Sequence, residues 1–403
     1  MTALGLLGLI LVGCYVDNKN HTVVSCDTAT TCPDDKPLCE NSVCAACTST
    51  MAGACKDTTP VCKVGDSPSA NTCASCSAHM DCASAACLPT GACGTDSNVA
   101  YVIAGGSGSA CSKAMPCDLA TALAAGRPYL KLSGMVPGNA SVTSGKLIFL
   151  ADPGAQLRGA AANSPVISVT GTGDVEVYDL ELTNGQGSSD GHGLLVNGNA
   201  ARALLQRGKA VQNGAFGVAA TGGGKITLRQ SVLRANNAGG LKVDGSSFDV
   251  TNNFIYGNGG GSTTVGGVTL VDIRSSGNVF EFNTVTQNVG SGGSILGVAC
   301  AMIQNPMPLT NNIIYGNLVS GGGTQVGGAP NCQHTYSLIG PDPVAGAGNL
   351  ADNPKFLADF HLQADSPARA AAVDSATQTV DFDGQPRPQP TSTRRDLGAD
   401  EVP

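Results

Sequence analysis

The sequence predicts an all-β chain built as a right-handed parallel β-helix, a solenoid, with a disulfide-rich segment of small modules on its N-terminal side. Three observations carry that expectation. The first is an asparagine-marked pattern that returns six times, at Asn184, Asn213, Asn236, Asn258, Asn288 and Asn317, with intervals of 29, 23, 22, 30 and 29 residues. An aliphatic residue stands two positions before the first two asparagines (Leu182, Val211) and three before the others (Leu233, Ile255, Val285, Ile314). Leu205, Leu228, Val250, Phe280 and Leu309 stand eight before the last five. Self-similarity at such a period means stacked units, each too small to bury an apolar side alone. Three short strands and three corners use about that many residues, and coils stacked about 4.8 Å apart bring the aliphatic columns together inside. The second observation is composition: 54 glycines, no tryptophan and 4% aromatic residues in 403 suit tight corners better than an ordinary globular enzyme. The third is the crowding of twelve of the 17 cysteines between Cys26 and Cys93.

Taken in order, the chain opens with an apolar run from Ala3 to Val12 that closes on Leu11-Val12-Gly13-Cys14. The run is too short for the roughly 20 residues that span a bilayer. It resembles the lipobox of bacterial lipoproteins, which implies a signal peptide over 1–13, cleavage before Cys14 and lipidation of the Cys14 thiol. The implied location is the cell envelope, at the outer membrane or cell surface, with the lipid as membrane partner. Residues 14–25 then form a polar tether.

Residues 26–97 hold three groups of four cysteines: Cys26, Cys32, Cys39, Cys44; Cys47, Cys55, Cys62, Cys73; and Cys76, Cys82, Cys87, Cys93. Little apolar bulk lies between them, so the modules need covalent cross-links to hold a shape, and two disulfides per module is the simple expectation. The pairs Cys44-x2-Cys47 and Cys73-x2-Cys76 loosely match a zinc ribbon. They fall at module boundaries, however, and in an exported chain oxidation competes with metal. Removing Cys14 leaves an even 16.

The solenoid is expected over 98–335. Tyr101 to Gly106 reads as strand and turn, and Cys111 and Cys117 as a clip on the following loop. Asp118 is an N-cap for a helix from Leu119 to Ala125, stopped by Gly126, that plugs the open end of the stack. Tyr129–Leu132 and Lys146–Leu150 are the opening strands and Val166–Val169 begins the regular coils. Cys300 and Cys332, about one coil apart, are expected to be joined, because neighbouring coils lie within disulfide reach.

Residues 336–403 are expected to cap the C-terminal side. The order of strand, Gly-rich turn, capping helix and Asn-marked coils is similar to bacterial pectin-lyase-like parallel β-helix proteins. The tail carries Asp352-Asn353-Pro354-Lys355-Phe356, Ser366-Pro367-Ala368, Asp381-Phe382-Asp383-Gly384-Gln385-Pro386-Arg387-Pro388 and Arg395-Asp396-Leu397-Gly398-Ala399-Asp400-Glu401. With these it resembles the C-terminal end of choice-of-anchor Q type surface proteins. That resemblance implies a surface protein, brings no assigned reaction, and makes Cys14 the anchor.

A net charge of −8 with 22 basic residues and no basic stripe excludes a nucleic-acid partner and disfavours a polyanionic ligand. Gly191-His192-Gly193 is similar to the Gly-His-Gly of polygalacturonases, but the accompanying acidic and Arg-x-Lys segments are missing, and a glycine corner with an incidental histidine accounts for it. Asp174, Glu176, Asp179 and Glu181 alternate with aliphatic residues and so face solvent, where Arg202, Arg207 and Lys209 one coil along complete a charge ladder. The asparagines suit corners, tolerating left-handed backbone and bonding along the stack. No cofactor, metal site or catalytic residue is expected from these patterns. The 29- and 30-residue coils exceed the short ones by about seven residues. The extra residues are expected as loops on one side, at Gly185–Gly191, Gly259–Val265, Gly290–Ser294 and Ser320–Gly328. The functional expectation is a non-enzymatic surface lipoprotein whose loops contact a polysaccharide or a surface protein. The alternative is a carbohydrate-active lyase or hydrolase, which needs carboxylates converging on one face.

Overall fold

The computed structural model describes residues 23–28, 32–48, 55–260, 263, 265–290, 295–318, 323–328, 330–373, 378–390 and 392–403. Contacts divide the chain into two compact units, 1–94 and 95–403. In the first unit each cysteine group closes the same way, first to third and second to fourth: Cys26–Cys39 and Cys32–Cys44, Cys47–Cys62 and Cys55–Cys73, Cys76–Cys87 and Cys82–Cys93. The pattern follows from small antiparallel ladders. Cys39 faces Cys44, Cys62 faces Cys73 and Cys87 faces Cys93, so each pair presents two sulfurs to the two earlier cysteines of its module. The four cysteines of the ribbon-like pairs are all spent within their own modules, as the boundary argument expects.

The second unit is an all-β solenoid of about nine coils in three parallel sheets. Sheet A has eight strands, from Ala140–Val142 to Thr324–Gly328; sheet B has ten, from Val99–Val102 to Cys332–Thr335; sheet C has nine, from Met135–Pro137 to Leu338–Gly340. Each coil visits A, B and C in turn. The interior is made of register-matched aliphatic columns, such as Ile167, Leu194, Val218, Leu241, Val268, Val298 and Val326 in sheet A. Each such side chain removed from water contributes roughly 1.5–3 kcal/mol. In sheet C the column runs Leu157, Leu182, Ala210, Leu233, Ile255, Val285, Ile314, Ile339. Val211 is therefore not its member: it pairs with Thr183 and Arg234 and points to the other face.

Two ladders of buried amides hold the corners. Between sheets C and A, Asn213, Asn236, Asn258, Asn288 and Asn317 stack directly. The Oδ1 of Asn236 accepts from both the backbone N–H (3.1 Å) and the Nδ2 (2.9 Å) of Asn213, while its own Nδ2 donates to Ala210 O (2.9 Å) and to Asn258 Oδ1 (2.8 Å). Asn184 does not belong to this ladder. It occupies the preceding, left-handed position (φ 60°), in line with Gln212, Ala235 and Gln287, and Gly185 stands in the ladder's place. The ladder leaves no room for a Cβ on the strand it touches. A Cβ at Gly217 would sit 2.6 Å from Asn236 Nδ2, and Gly193, Gly240 and Gly297 meet Asn213, Asn258 and Asn317 at 2.8, 3.1 and 2.9 Å. A second ladder, between sheets B and C, runs Ser231, Asn253, Asn283, Asn312, Ser337 by the same side-chain-to-backbone bonds.

The ends are closed differently. The helix Leu119–Ala124 starts at Asp118, whose carboxylate accepts from Thr121 N–H at 2.7 Å, and it drives Leu119 and Ala122 into the core. Arg127 then caps the carbonyls of Val99, Ala110 and Cys111. At the far end Val344 packs on the core, and Asn349 and Leu350 bond Ser337 and Ile339 as a last partial rung. The rest of the tail is not an end plug. It runs back along sheet C, covering Phe254, Ile313 and Leu338, and reaches as far as Gln230 and Asn252, which donate to Asp381 O and Val380 O.

Candidate functional site

Insertions decide where this solenoid departs from a smooth prism. The loop 185–191 and the loop 259–265, of which 261, 262 and 264 lie outside the described residues, both lie between a sheet C strand and the next sheet A strand, whereas the two coils between them turn tightly at 213–216 and 236–239. Gly290 opens a third loop at the same corner, of which 291–294 lie outside the described residues. The fourth expected loop is shorter than 320–328, because Thr324–Gly328 is a strand of sheet A.

The first two loops are walls and the two tight turns are a floor. Three coil steps of about 4.8 Å separate the walls, a span of about 14 Å. The resulting groove has a volume of about 790 Å³ and is lined by Ser188, Phe216, Asn237, Lys242, Asp244 and Thr263 among others. Both walls are tied down. Gln186 O accepts from Ser164 N–H (3.1 Å), and Thr263 Oγ1 donates to Asn237 O (2.7 Å). On the floor the Phe216 ring is half-buried, leaving an edge of aromatic surface open to the groove. His192 holds it there: its Nδ1 accepts from Phe216 N–H at 3.2 Å, and the two rings lie 6.1 Å apart. Burial lowers the His192 pKa to about 4 despite nearby Asp190, so the ring is neutral and free to accept. The histidine of Gly191-His192-Gly193 is thus a corner acceptor under the groove floor. Lys242 and Asp244 form an ion pair at 3.2 Å, so the charged groups lining the groove neutralise each other.

The carboxylates singled out in the sequence lie elsewhere and are paired. Asp179 takes a bidentate contact from Arg207 (2.8 and 2.9 Å), which raises the guanidinium pKa. Lys146 pairs with Glu176 and with Asp174, while Asp174 faces Arg202 and Glu181 faces Lys209 in register. Arg207 thus makes the expected pair between coils, while Arg202 and Lys209 stand one coil along in register.

The tail gathers several acids around one buried arginine. Arg387, 3% exposed, donates to the carbonyls of Asp396 (2.8 Å), Gly398 (3.1 Å) and Ala399 (3.0 Å), and its guanidinium stacks 4.4 Å from the Phe282 ring centroid. Asp381, Asp396 and Glu401 around it each accept two backbone N–H groups. Burial raises the Asp381 and Glu401 pKa values, although those bonds and Arg387 oppose it. Nearby, His361 bonds Asp383 (2.9 Å) and lies 3.2 Å from Asp359, and its ligand atom, those of Asp383 and Asp400 come within 4.8 Å of one another. Burial opposes charge on this ring, but Asp400, Asp383 and Asp359 outweigh it and raise its pKa. Asp400 is also occupied as the acceptor for Leu362 N–H at 2.7 Å.

Of the cysteines expected to pair, Cys111 joins Cys117 beneath the capping helix, and Cys300 joins Cys332 at a Cα separation of 6.3 Å. Cys14 lies outside the described residues.

The family described as "Right handed beta helix region" matches residues 165–335. Among solved structures, the crystal structure of pectate lyase Pel9A superposes with a TM-score of 0.47 at 15% identity, covering 76% of this chain and 96% of that one. No curated protein matches the sequence.

Proposed function

We propose that this chain is an envelope-anchored display solenoid that holds polysaccharide in the sheet A groove without cleaving it. The observation that carries the reading is the groove itself: a partly exposed Phe216 on a floor two coils wide, between two hydrogen-bonded walls. An aromatic face takes the apolar side of a sugar ring, and the amides and hydroxyls of Asn237, Ser188 and Thr263 suit its hydroxyls. The volume falls within the roughly 300–1,000 Å³ usual for small-ligand sites. The mutually neutralised Lys242 and Asp244 favour an uncharged glycan over a polyanion. A lyase or hydrolase needs carboxylates free to meet at the substrate, and the groove's Asp244 is committed to Lys242.

The remainder of the reading concerns address. Lipidation of Cys14, with the disulfide modules as a stalk behind it, would present the solenoid outward, in keeping with the resemblance of the tail to choice-of-anchor Q type surface proteins. Affinity electrophoresis through gels holding neutral glucans, galactans or acidic pectate tests the groove. The wild-type chain should be retarded by a neutral polymer, and Phe216→Ala should weaken that retardation about tenfold, equivalent to about 1.4 kcal/mol. Retardation that survives Phe216→Ala would move the contact surface off the groove.

A further inference from the structure

We propose that Cys300, Cys332 and His334 form a redox-gated site for zinc(II), a thiophilic d10 cation, inside the last coils of the solenoid. His334 continues an interior column. It stands in register with Leu309, at the position that Val177, Leu205, Leu228 and Val250 fill in earlier coils. Every one of those is a buried aliphatic, whereas His334 is an imidazole, 8% exposed, with neither ring nitrogen hydrogen-bonded among the described residues. A buried polar group without a partner is costly and calls for a reason.

The neighbours supply one. Cys332 precedes His334 by two residues on the same strand, so strand alternation puts both side chains on the interior face. Cys300 ends the sheet A column of Val243 and Leu270 one coil earlier. The two sulfurs and a ring nitrogen of His334 lie within 4.8 Å of one another, close enough to share one ion. Two thiolates and a neutral imidazole are the ligand types that select zinc or copper(I) over hard cations. A groove of about 570 Å³ lined by His334, Cys332 and Asp342 among others opens onto two of the three ligands and offers an ion a way in.

With the disulfide formed, both sulfurs are committed to each other and the imidazole stands unused. A thiol reductant delivers two electrons to the Cys300–Cys332 bond and becomes its own disulfide, leaving two protein thiols. Zinc then binds as both thiols lose their protons and His334 donates its lone pair. Nothing else is consumed. The same linkage runs backwards: zinc favours the reduced pair by mass action.

The test reads these two cysteines alone. The full chain is equilibrated in a glutathione redox buffer with zinc or with chelator, free thiols are trapped by alkylation, and the peptides bearing Cys300 and Cys332 are quantified. Zinc should raise their reduced fraction several-fold in the wild type. His334→Leu, which restores the aliphatic column, should keep or raise the thermal midpoint of the oxidised chain while abolishing the zinc effect. A reduced fraction indifferent to zinc in the wild type overturns the proposal by itself. An equal zinc effect in His334→Leu would show that the histidine is no ligand, and overturns it too.

Discussion

Asn236 is the residue through which the ladder can be weighed. Replacing it with alanine removes an acceptor from Asn213 N–H and a donor from Ala210 C=O, both buried, at roughly 1–3 kcal/mol for each group left without a partner. Asn236→Ala should therefore lower the unfolding free energy by about 3 kcal/mol or more in denaturant titrations. Thr227→Ala on an outward position should change it by no more than about 0.5 kcal/mol. Gly217→Ala should cost about 1–3 kcal/mol from the opposite side, since its methyl would collide with the Asn236 amide. Much of this was legible in the sequence, because Asn236, Asn258, Asn288 and Asn317 share one spacing to the aliphatic before them. What the letters could not separate is a ladder asparagine from one serving the left-handed turn. Asn184 and Asn213 look alike in sequence, yet one has φ 60° at the corner and the other stacks beyond it. The second ladder stands in the sequence as Asn253, Asn283 and Asn312, at intervals of 30 and 29, but it shares the period of the first, whose asparagines follow five residues later in each coil. His334 escaped notice for a related reason: Cys-x-His is uninformative until a strand puts both on one face.

Among the elements, the tail depends most on burying charge. Arg387→Ala would leave Glu401 and three carbonyls facing an empty place and should destabilise the chain by about 3–5 kcal/mol, whereas Arg387→Met, which keeps the packing on Phe282, should cost less. Calorimetry of the two variants separates charge from packing. The His361 cluster adds a pH dependence. The folded chain raises this ring's pKa and so binds its proton more tightly than the unfolded chain does. That stabilisation is fully present below the ordinary histidine value of about 6.5 and is lost as pH rises through the raised folded value. The thermal midpoint should accordingly fall as pH is raised through and above neutrality, and His361→Gln should flatten the fall. A wild-type midpoint that stays level across that range would mean that Asp359, Asp383 and Asp400 do not hold the charged ring. The tail's motifs were visible in the sequence, but their path was not. Short loops without periodicity give no direction, and only the apolar outer positions of sheet C, Phe254, Ile313 and Leu338, hinted that something had to cover them.

At the scale of the whole molecule, the proposed function rests on lipidation of Cys14 and on the groove of the solenoid. Cys14→Ser should release the protein from the membrane fraction and abolish palmitate labelling; unchanged labelling would remove the lipid anchor from the account. The side of the solenoid that carries the loops was legible from coil length alone, since a residue surplus in a register-locked stack has nowhere to go but a corner. The groove was not, because it arises from two short coils lying between two long ones, and its floor from a partly exposed Phe216 that a count of few aromatics hides. The central claim is binding without cleavage at that floor. The measurement that tests it most directly incubates the full chain with a polysaccharide that retards it in gels, with calcium present, and assays released reducing ends and unsaturated products. The account predicts saturable retention that depends on Phe216 and no new chain ends beyond those of a protein-free control. Product that accumulates with time and protein concentration, and falls with Phe216→Ala, would contradict it and make the groove an active site.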